Sequence, residues 1–249
     1  MQLFLNTSVR CMLSTALLAG YLSLPSMAFA QETDYSQDDA LWQDFGENED
    51  PWEQANRAVF RFNDALDRWA LKPIAKGYQK VMPDVVEDGV HNVFRNVGEV
   101  RNLTNNLLQL KLHDAGVDTS RFFFNTTFGL LGFFDVATKM GLQRNDEDFG
   151  QTLGFWGVKS GPYVVLPLLG PSTVRDTVSL YPDSFTGQYG YINDVPVRNS
   201  FFALNIVDTR ASLLSAERLI AGDKYRFIRN AYLQNREFKV LDGNVVDDF

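Results

Sequence analysis

The feature that most constrains this chain is a run of thirteen uncharged residues between Arg121 and Asp135, six of which are phenylalanine. As a helix the run would be about 20 Å long, whereas a helix needs about 20 residues to cross a hydrocarbon core of about 30 Å. It is also apolar all round, unlike a one-sided surface helix. Two interpretations remain open: a helix buried in a protein core, or a helix lying within one leaflet of a bilayer.

The first thirty residues are predicted to be a cleaved export signal. Arg10 precedes an uncharged stretch rich in Leu and Ala, and the pattern Ala28-Phe29-Ala30 stands where a signal peptidase cuts. An uncleaved membrane anchor is the alternative. The single cysteine, Cys11, lies before the apolar stretch, whereas the acylated cysteine of a lipoprotein directly follows it. The mature chain is therefore expected to carry neither a disulfide nor an acyl anchor.

The negative charge of the chain is concentrated in one segment. Residues 31–50 contain eight acidic residues and no basic one. Of the formal net charge of −8, Arg10 contributes +1 and this segment −8, so the remainder carries −1. We expect 31–49 to be an acidic disordered linker, 50–240 to be one helical domain and 241–249 to be a tail. The nearly neutral domain lacks the basic footprint of a nucleic-acid-binding protein.

Most of the domain has the three- and four-residue spacing of apolar side chains that is typical of amphipathic helices. Asp50 is a candidate helix cap, with Pro51 at the first helical position and Glu53 completing a capping box. Asp118 is a candidate cap for the phenylalanine-rich helix. The helices predicted before residue 140 cover 51–71, 74–81, 84–97, 99–112 and 121–135.

Between residues 149 and 163 the chain is rich in glycine, which predicts turns rather than a helix. A small hairpin is expected around Gly157 and Gly161, and 163–166 has a high β-propensity. The fold class is therefore expected to be mainly α with at most one short hairpin. The remaining predictions are a helix that opens near Pro171, a loop over 181–199 and helices over 200–220 and 223–239.

The sequence contains no recognisable catalytic or metal-binding set. His91 and His113 are far apart and lack the spacing of a zinc motif. Neither a G-x-S-x-G nucleophile elbow nor a glycine-rich phosphate loop is present. We therefore predict a protein that is not an enzyme and that needs no cofactor.

An ordered series of short motifs resembles the MlaA (VacJ) family of Gram-negative outer-membrane proteins. The series covers 50–238, and its specificity lies in the order of the motifs rather than in any one of them. The matching motifs are Asp50-Pro51-x-Glu53, Asn56-Arg57, Arg121-Phe122-Phe123-x-Asn125-Thr126, Gly132-Phe133-x-Asp135-Val136-Ala137, Phe149-Gly150-x-Thr152-Leu153-Gly154, Gly161-Pro162-Tyr163-x-x-Leu166-Pro167, Arg175-Asp176, Thr209-Arg210-Ala211-x-Leu213-Leu214, Asp223-x-Tyr225 and Arg229-x-Ala231-Tyr232-x-Gln234.

The resemblance implies a ring-shaped single helical domain embedded in one leaflet, on the periplasmic face of the outer membrane. It implies removal of misplaced phospholipid from the outer leaflet through an amphipathic channel. The implied partners are phospholipid, an outer-membrane porin trimer and a periplasmic lipid carrier that feeds an ABC lipid-transport system. Members of the family commonly carry a lipobox cysteine, which this chain lacks, so its attachment is expected to depend on the embedded ring.

The resemblance also suggests which residues form the site. On this basis the phenylalanine-rich run is expected to lie in lipid, with Phe122, Phe123, Phe124, Phe128, Phe133 and Phe134 contacting acyl chains. Gly154, Gly157 and Gly161 are expected to form a hinge near the channel mouth. The alternative for these glycines is a static hairpin that needs the positive φ angles glycine adopts freely.

Two other functions remain open. One is a soluble periplasmic lipid-binding or scaffolding protein. The other is a lipid hydrolase whose active site is gathered from residues distant in sequence. Cell fractionation distinguishes a soluble lipid-binding protein from a membrane-resident transporter. Turnover of labelled phospholipid would reveal a hydrolase.

Overall fold

The computed structural model describes residues 50–187, 189 and 192–244. The predictions for the export signal, for the linker and for 245–249 lie outside these residues. The described part is mainly helical with one short hairpin, which confirms the predicted fold class. Its elements are α1 (Glu53–Leu66), a π-helical segment (Asp67–Leu71), α2 (Lys72–Val81), α3 (Asp84–Leu108), α4 (Leu112–Thr127), α5 (Val136–Lys139), α6 (Phe149–Phe155), β1 (Tyr163–Leu166), β2 (Gly170–Thr173), α7 (Val174–Thr186), α8 (Val195–Ser212), a 3₁₀ segment (Ala216–Leu219) and α9 (Lys224–Val240).

The first predicted helix is present, but its start and end differ from the prediction. Asp50 does not cap it; the N-cap is Trp52, and Asp50 is buried, where it accepts a hydrogen bond from Asn56 Nδ2 at 2.7 Å. At the other end, α1 runs through the π-helical segment directly into α2. Because Pro73 has no backbone N–H to donate, it fits the first turn of α2 immediately after this widened turn.

Helix α3 is one continuous helix of 25 residues where two were predicted. Gly98 lowers helix propensity but does not end the helix. The reversal comes later, at Leu110, whose φ of 60° is left-handed. Helix α4 then begins at Leu112 rather than at Asp118, which lies buried inside the helix and does not cap it. Helices α3 and α4 pack closely along each other.

The glycine-rich stretch after residue 148 contains a helix, α6, where turns were predicted. Asp148 caps it by accepting a hydrogen bond from the backbone N–H of Gln151 at 2.9 Å. Glycine is needed here for space: a Cβ at Gly150 would lie 2.3 Å from Arg236 Nη2. The prediction failed because Arg236, which pairs with the capping Asp148 and lies against Gly150, is on α9, far away in sequence.

The hairpin lies outside the segment where it was predicted. Residues 163–166 were predicted to be extended, and they form strand β1. This strand pairs antiparallel with β2, with Tyr163 opposite Thr173 and Leu166 opposite Gly170. The turn includes Leu168, whose φ is 66°. The prediction of a hairpin around Gly157 and Gly161 is therefore wrong, because these glycines lie in the connection between α6 and β1.

The last part of the chain is more helical than predicted. The expected loop over 181–199 is shorter, since α7 continues through Pro182 to Thr186 and α8 begins at Val195. Thr173 caps α7 by accepting from the backbone N–H of Asp176, as expected for a helix that opens after Pro171. The two final helices were predicted, although α8 ends at Ser212 and a 3₁₀ segment follows.

The distribution of polar and apolar side chains is the most unusual property of the fold. Among the described residues, 23 buried side chains are polar or charged and eight are apolar, whereas 37 large apolar side chains are exposed. A small apolar core exists where Tyr163, Val165 and Tyr225 join the hairpin to α1 and α9. Elsewhere hydrogen bonds and ion pairs hold the helices together, and apolar surface faces outward.

Candidate lipid-contact site

Helix α3 presents a stripe of buried polar side chains where a soluble helix would present leucine. Asn102 accepts a hydrogen bond from the backbone N–H of Glu147 at 3.1 Å and donates to the carbonyl of Asn145 at 2.9 Å. One turn further on, Asn106 donates to Asp118 of α4 at 2.7 Å. The stripe therefore joins α3 both to α4 and to the segment that follows α5. Its members, most of them three or four residues apart, are Asn96, Glu99, Asn102, Asn105, Asn106 and the C-cap residue Gln109.

Arg121 lies at the centre of this polar interior. Its side chain is 1% exposed, and its Nε donates to Glu99 Oε1 at 2.9 Å. One Nη donates to Asp135 Oδ2 at 3.2 Å and the other to the carbonyl of Leu142 at 2.5 Å. A guanidinium suits this position because its planar fork can satisfy several acceptors at once. Arg121, at one end of the phenylalanine-rich run, therefore binds both Asp135 at the other end and Glu99 of α3.

Asp135 belongs to the same hydrogen-bonded network as Arg121. It accepts a hydrogen bond from Asn125 Nδ2 at 3.1 Å, while Asn125 Oδ1 accepts from the backbone N–H of Ala137 at 2.9 Å. Burial acts to raise the pKa of Asp135, but hydrogen bonds from Thr138 and the charge of Arg121 outweigh it and lower the pKa to about 2. Asp135 is therefore ionised at neutral pH. We call Glu99, Arg121, Asn125 and Asp135 the polar clamp.

The phenylalanine-rich run was predicted to form one helix, but the structure shows otherwise. Helix α4 ends at Thr127, and the chain then makes a tight turn, 128–134, which we call the apolar loop. Leu130 and Leu131 have φ angles of 52° and 58°, uncommon for residues other than glycine. Backbone hydrogen bonds hold this turn, among them Gly132 N–H to the carbonyl of Asn125 at 2.8 Å. The polar clamp thus closes the base of a loop with apolar residues at its tip.

The six phenylalanines differ in exposure. Four are exposed by 39% (Phe122), 56% (Phe123), 63% (Phe128) and 42% (Phe134). Phe124 and Phe133 are half-buried. Phe133 packs on α3, since a Cβ at Gly89 would come within 2.1 Å of its ring. The interpretation of the run as a buried core helix is therefore wrong for the four exposed rings. Contact with lipid remains a prediction for them.

The three glycines of the expected hinge do not occupy one connection. Gly154 lies inside α6, where a Cβ would stand 2.8 Å from Val240 and from Arg175. Gly157 and Gly161 lie in the following connection with φ angles of 87° and 69°. Close helix packing therefore explains glycine at the first position and a left-handed backbone explains it at the other two. The hinge itself remains a prediction.

A second polar cluster joins α6, α7 and α9. Arg236 donates to both oxygens of Asp148, at 2.5 and 2.6 Å, and to both oxygens of Asp176, at 2.8 and 3.0 Å. Burial acts to raise the pKa of Asp148, but Arg236 lowers it to about 2. Sequence reasoning missed this cluster because its members lie up to 88 residues apart. It also missed the polar stripe of α3, although its three- and four-residue spacing was visible in the sequence.

Two cavities are lined in part by the segment that contains Arg144 and Asp146. One has a volume of about 740 Å³ and is lined by this segment together with Lys111 and Lys239. The other has a volume of about 530 Å³ and lies between α3 and α8. Arg144 and Asp146 line both. Both volumes lie within the range of small-ligand sites.

Neither a membrane-spanning helix nor a metal site is found in the described part of the chain. None of its helices combines the length and the apolarity that crossing a bilayer requires. Within the same residues, no three His, Cys, Asp or Glu side chains are arranged to hold a metal ion.

The arrangement defines a class of protein: a helical domain with a hydrogen-bonded polar interior and a large apolar outer surface. Such a surface serves contact with lipid or with another protein. The family model described as "MlaA lipoprotein" matches residues 48–239. The chain therefore belongs to the MlaA family, which confirms the resemblance seen in its motifs.

Individual relatives agree with this assignment. The chain is 35% identical over 208 residues to the intermembrane phospholipid transport system lipoprotein MlaA of Haemophilus influenzae, covering 81% of this chain and 83% of that one. It is 35% identical over 202 residues to the protein of the same name in Escherichia coli, covering 79% and 80%. A solved structure, described as the structural basis for maintenance of bacterial outer membrane lipid asymmetry, matches with a TM-score of 0.68 at 32% identity, covering 77% of this chain and 98% of that one.

Proposed function

We propose that this protein is a non-enzymatic component of a phospholipid-transport system that maintains outer-membrane lipid asymmetry. The observation that carries the proposal is the inverted burial around the polar clamp: Arg121 is buried while Phe123 and Phe128 beside it are more than half exposed. A polar interior closed by ion pairs can remain folded while apolar side chains of the same segment enter lipid. The names of the relatives point to the same activity.

We propose further that the chain is exported with a cleaved signal and attaches to the membrane through this apolar surface. Full burial of a phenylalanine stabilises by about 1.5–3 kcal/mol. The exposed surface of the four rings adds up to that of about two fully exposed phenylalanines, so its burial in lipid offers about 3–6 kcal/mol before ordering costs. A single acyl chain gives only marginal, reversible binding, so attachment does not require the acyl group that the word lipoprotein implies for the relatives.

The finer parts of the proposal concern geometry and partners. The domain forms a ring in the inner leaflet of the outer membrane, and misplaced phospholipid leaves the outer leaflet through its amphipathic channel. A porin trimer holds the ring in the membrane, and a periplasmic carrier receives the lipid for an ABC system. The two cavities, which share Arg144 and Asp146 in their lining, support such a channel.

A deletion strain tests the function. Cells that lack this protein should expose more phospholipid in the outer leaflet, measured by labelling amino headgroups with a reagent that does not cross the membrane. The wild-type gene should restore the normal level. A variant with Phe123→Asp and Phe128→Asp should not, although it folds. Unchanged outer-leaflet phospholipid in the deletion strain would refute the proposal, and a protein found free in the periplasm would favour the soluble lipid-binding alternative.

A further inference from the structure

The cavity between α3 and α8 gathers three arginines. Arg95 and Arg101 lie six residues apart on α3, and Arg144 reaches the same cavity from the segment after α5. Gly98 lies between the two α3 arginines, and a Cβ there would stand 3.4 Å from Arg144 Nη2. Glycine at this position leaves Arg144 Nη2 in contact with the backbone of α3, within the cavity that the other two arginines line.

Negative charge in the cavity does not balance these arginines. Asp146 is the one carboxylate among the described residues that line it. Its Oδ1 lies 3.4 Å from Arg101 and 3.5 Å from Arg144, while Lys239 holds its Oδ2 at 2.8 Å. The histidine of the cavity, His91, is paired with Asp208 at 2.8 Å. The described lining thus carries three guanidinium groups against one carboxylate that is shared with a lysine. Behind the lining, Glu99 Oε1 lies 3.5 Å from Arg144 Nε, but this oxygen already accepts a hydrogen bond from Arg121 at 2.9 Å.

Several donors in this cluster have no acceptor. The Nε atom of Arg101 is buried without a hydrogen-bond partner, and that of Arg144 has only Glu99 Oε1 at 3.5 Å. Arg95 makes neither a hydrogen bond nor a salt bridge within the part of the chain that the structure describes, although it is half-buried. Burial and then the charge of Arg144 lower the pKa of Arg95, and the more weakly acting charges of Asp135 and Glu99 do not offset them. A group that is crowded by like charge in this way is stabilised when an anion binds.

We propose that this cavity binds the phosphate group of a phospholipid through Arg95, Arg101 and Arg144. Guanidinium forks match phosphate oxygens in pairs, which gives both strength and orientation. The cavity is also partly apolar: Phe94 lines it and packs edge-to-face on Phe201 of α8 at 6.4 Å. Phosphate and the first part of an acyl chain therefore find matching surfaces side by side. This inference rests on the proposed function and adds to it the group that is recognised.

Binding of matched ligands to the full-length protein in neutral detergent micelles tests the site. The ligands are dihexanoyl phosphatidylethanolamine, dihexanoylglycerol with the same chains but no phosphate, glycerophosphoethanolamine with no chains, and inorganic phosphate. Calorimetry should give the tightest binding for the phospholipid, with dihexanoylglycerol at least about tenfold weaker. Equal binding of phospholipid and dihexanoylglycerol would overturn the proposal. Inorganic phosphate that binds as tightly as the lipid would assign the site to free phosphate and overturn the lipid headgroup.

Variants show which residues are responsible. Arg95→Gln removes a charge that no described group pairs, so the fold should survive; phospholipid binding should weaken by about 10- to 100-fold, with dihexanoylglycerol unchanged. Arg95→Lys should restore part of the affinity. The control Arg218→Gln removes an exposed arginine and should change neither ligand. Unchanged phospholipid affinity in a folded Arg95→Gln protein would overturn the site.

The proposed function can fail separately from this site. A deletion strain with normal outer-leaflet phospholipid would refute transport whatever the purified protein binds. A strain in which Arg95→Gln restores asymmetry fully, with phospholipid binding unchanged, would refute the phosphate site and leave transport in place.

Discussion

At the scale of single residues, Arg121 illustrates why a polar interior can be stable. Its guanidinium satisfies two carboxylates and a backbone carbonyl in a place from which water is excluded. Removing one member of such a buried set leaves an uncompensated charge, which costs more than the intact set contributes. The stability of this region therefore depends on complete pairing rather than on apolar area.

Replacing Arg121 by an uncharged side chain of similar length tests this dependence on pairing. Arg121→Met removes the nearest counter-charge of Glu99 and of Asp135 and should lower the free energy of unfolding by about 3–5 kcal/mol. Denaturation in detergent, followed by circular dichroism, measures it. Arg218→Met, at an exposed position, should stay within about 0.5 kcal/mol of wild type. A loss below about 1 kcal/mol for Arg121→Met would show that the polar clamp does not hold the fold.

Asp118 gives the fold a dependence on pH. Burial raises its pKa to about 7, against the hydrogen bond from Asn106 and with help from the charge of Glu99. The unfolded value is about 3.9, so between about pH 4 and pH 7 the folded state holds the proton more tightly. The stabilising contribution is complete below this window and is lost as the pH rises through it.

Asp118→Asn should remove this dependence. Relative to wild type, the variant should gain stability as the pH rises from 5 to 7, by up to about 1.4 kcal/mol for each pH unit. Parallel denaturation curves at pH 5, 6, 7 and 8 measure the difference, with Asp84→Asn as an exposed control. A difference between variant and wild type that is constant with pH would contradict the assignment of this proton to Asp118.

At the scale of elements, α6 shows how glycine serves close helix packing. Gly154 has no room for a methyl group between Arg175 and Val240. Gly77 in α2 has nothing within 4 Å of an added Cβ, so it is a matched control. Gly77→Ala should be neutral or stabilise by up to about 1 kcal/mol, whereas Gly154→Ala should destabilise. Thermal melts of both variants measure the change in stability. Equal changes for the two variants would contradict the packing role of Gly154.

The hinge proposed for the connection between α6 and β1 is tested at Gly157. Gly157→Ala must place an alanine at φ 87° and should lower stability by about 1–2 kcal/mol whether or not the loop moves. A hinge would in addition reduce transport beyond the loss of folded protein, measured as outer-leaflet phospholipid per folded molecule. Transport that follows the folded fraction would favour the static connection.

The phenylalanine-rich element separates two kinds of aromatic position. Phe128→Asp, at an exposed ring, should weaken binding to liposomes by about 10-fold or more, since about 1–2 kcal/mol of burial is lost and a charge is added, with little change in the melt. Phe133→Asp should destabilise the fold because this ring packs on Gly89. Buried Phe94→Asp is the control for unfolding. Phe128→Asp that unfolds like the control would contradict lipid contact.

At the scale of the whole molecule, local patterns predicted the helical class, the start of α9 and strand β1, because spacing and capping residues act within a few positions. They did not predict α6, whose Asp148 and Gly150 depend on Arg236, or the burial of Asn56, whose amide donates to the carbonyl of Tyr163, 107 residues away. Polar interiors are assembled from distant groups, so spacing alone does not reveal them.

The central claim is that the apolar loop lies in lipid while the polar clamp lies in protein. Phe128→Cys in a Cys11→Ser background gives the chain one cysteine, which can carry an environment-sensitive fluorophore; Arg226→Cys is the control at a charged exposed position. In liposomes with brominated acyl chains, the label at Phe128 should shift to the blue and be strongly quenched, and the label at Arg226 should do neither. Equal, weak quenching at both positions would contradict the claim.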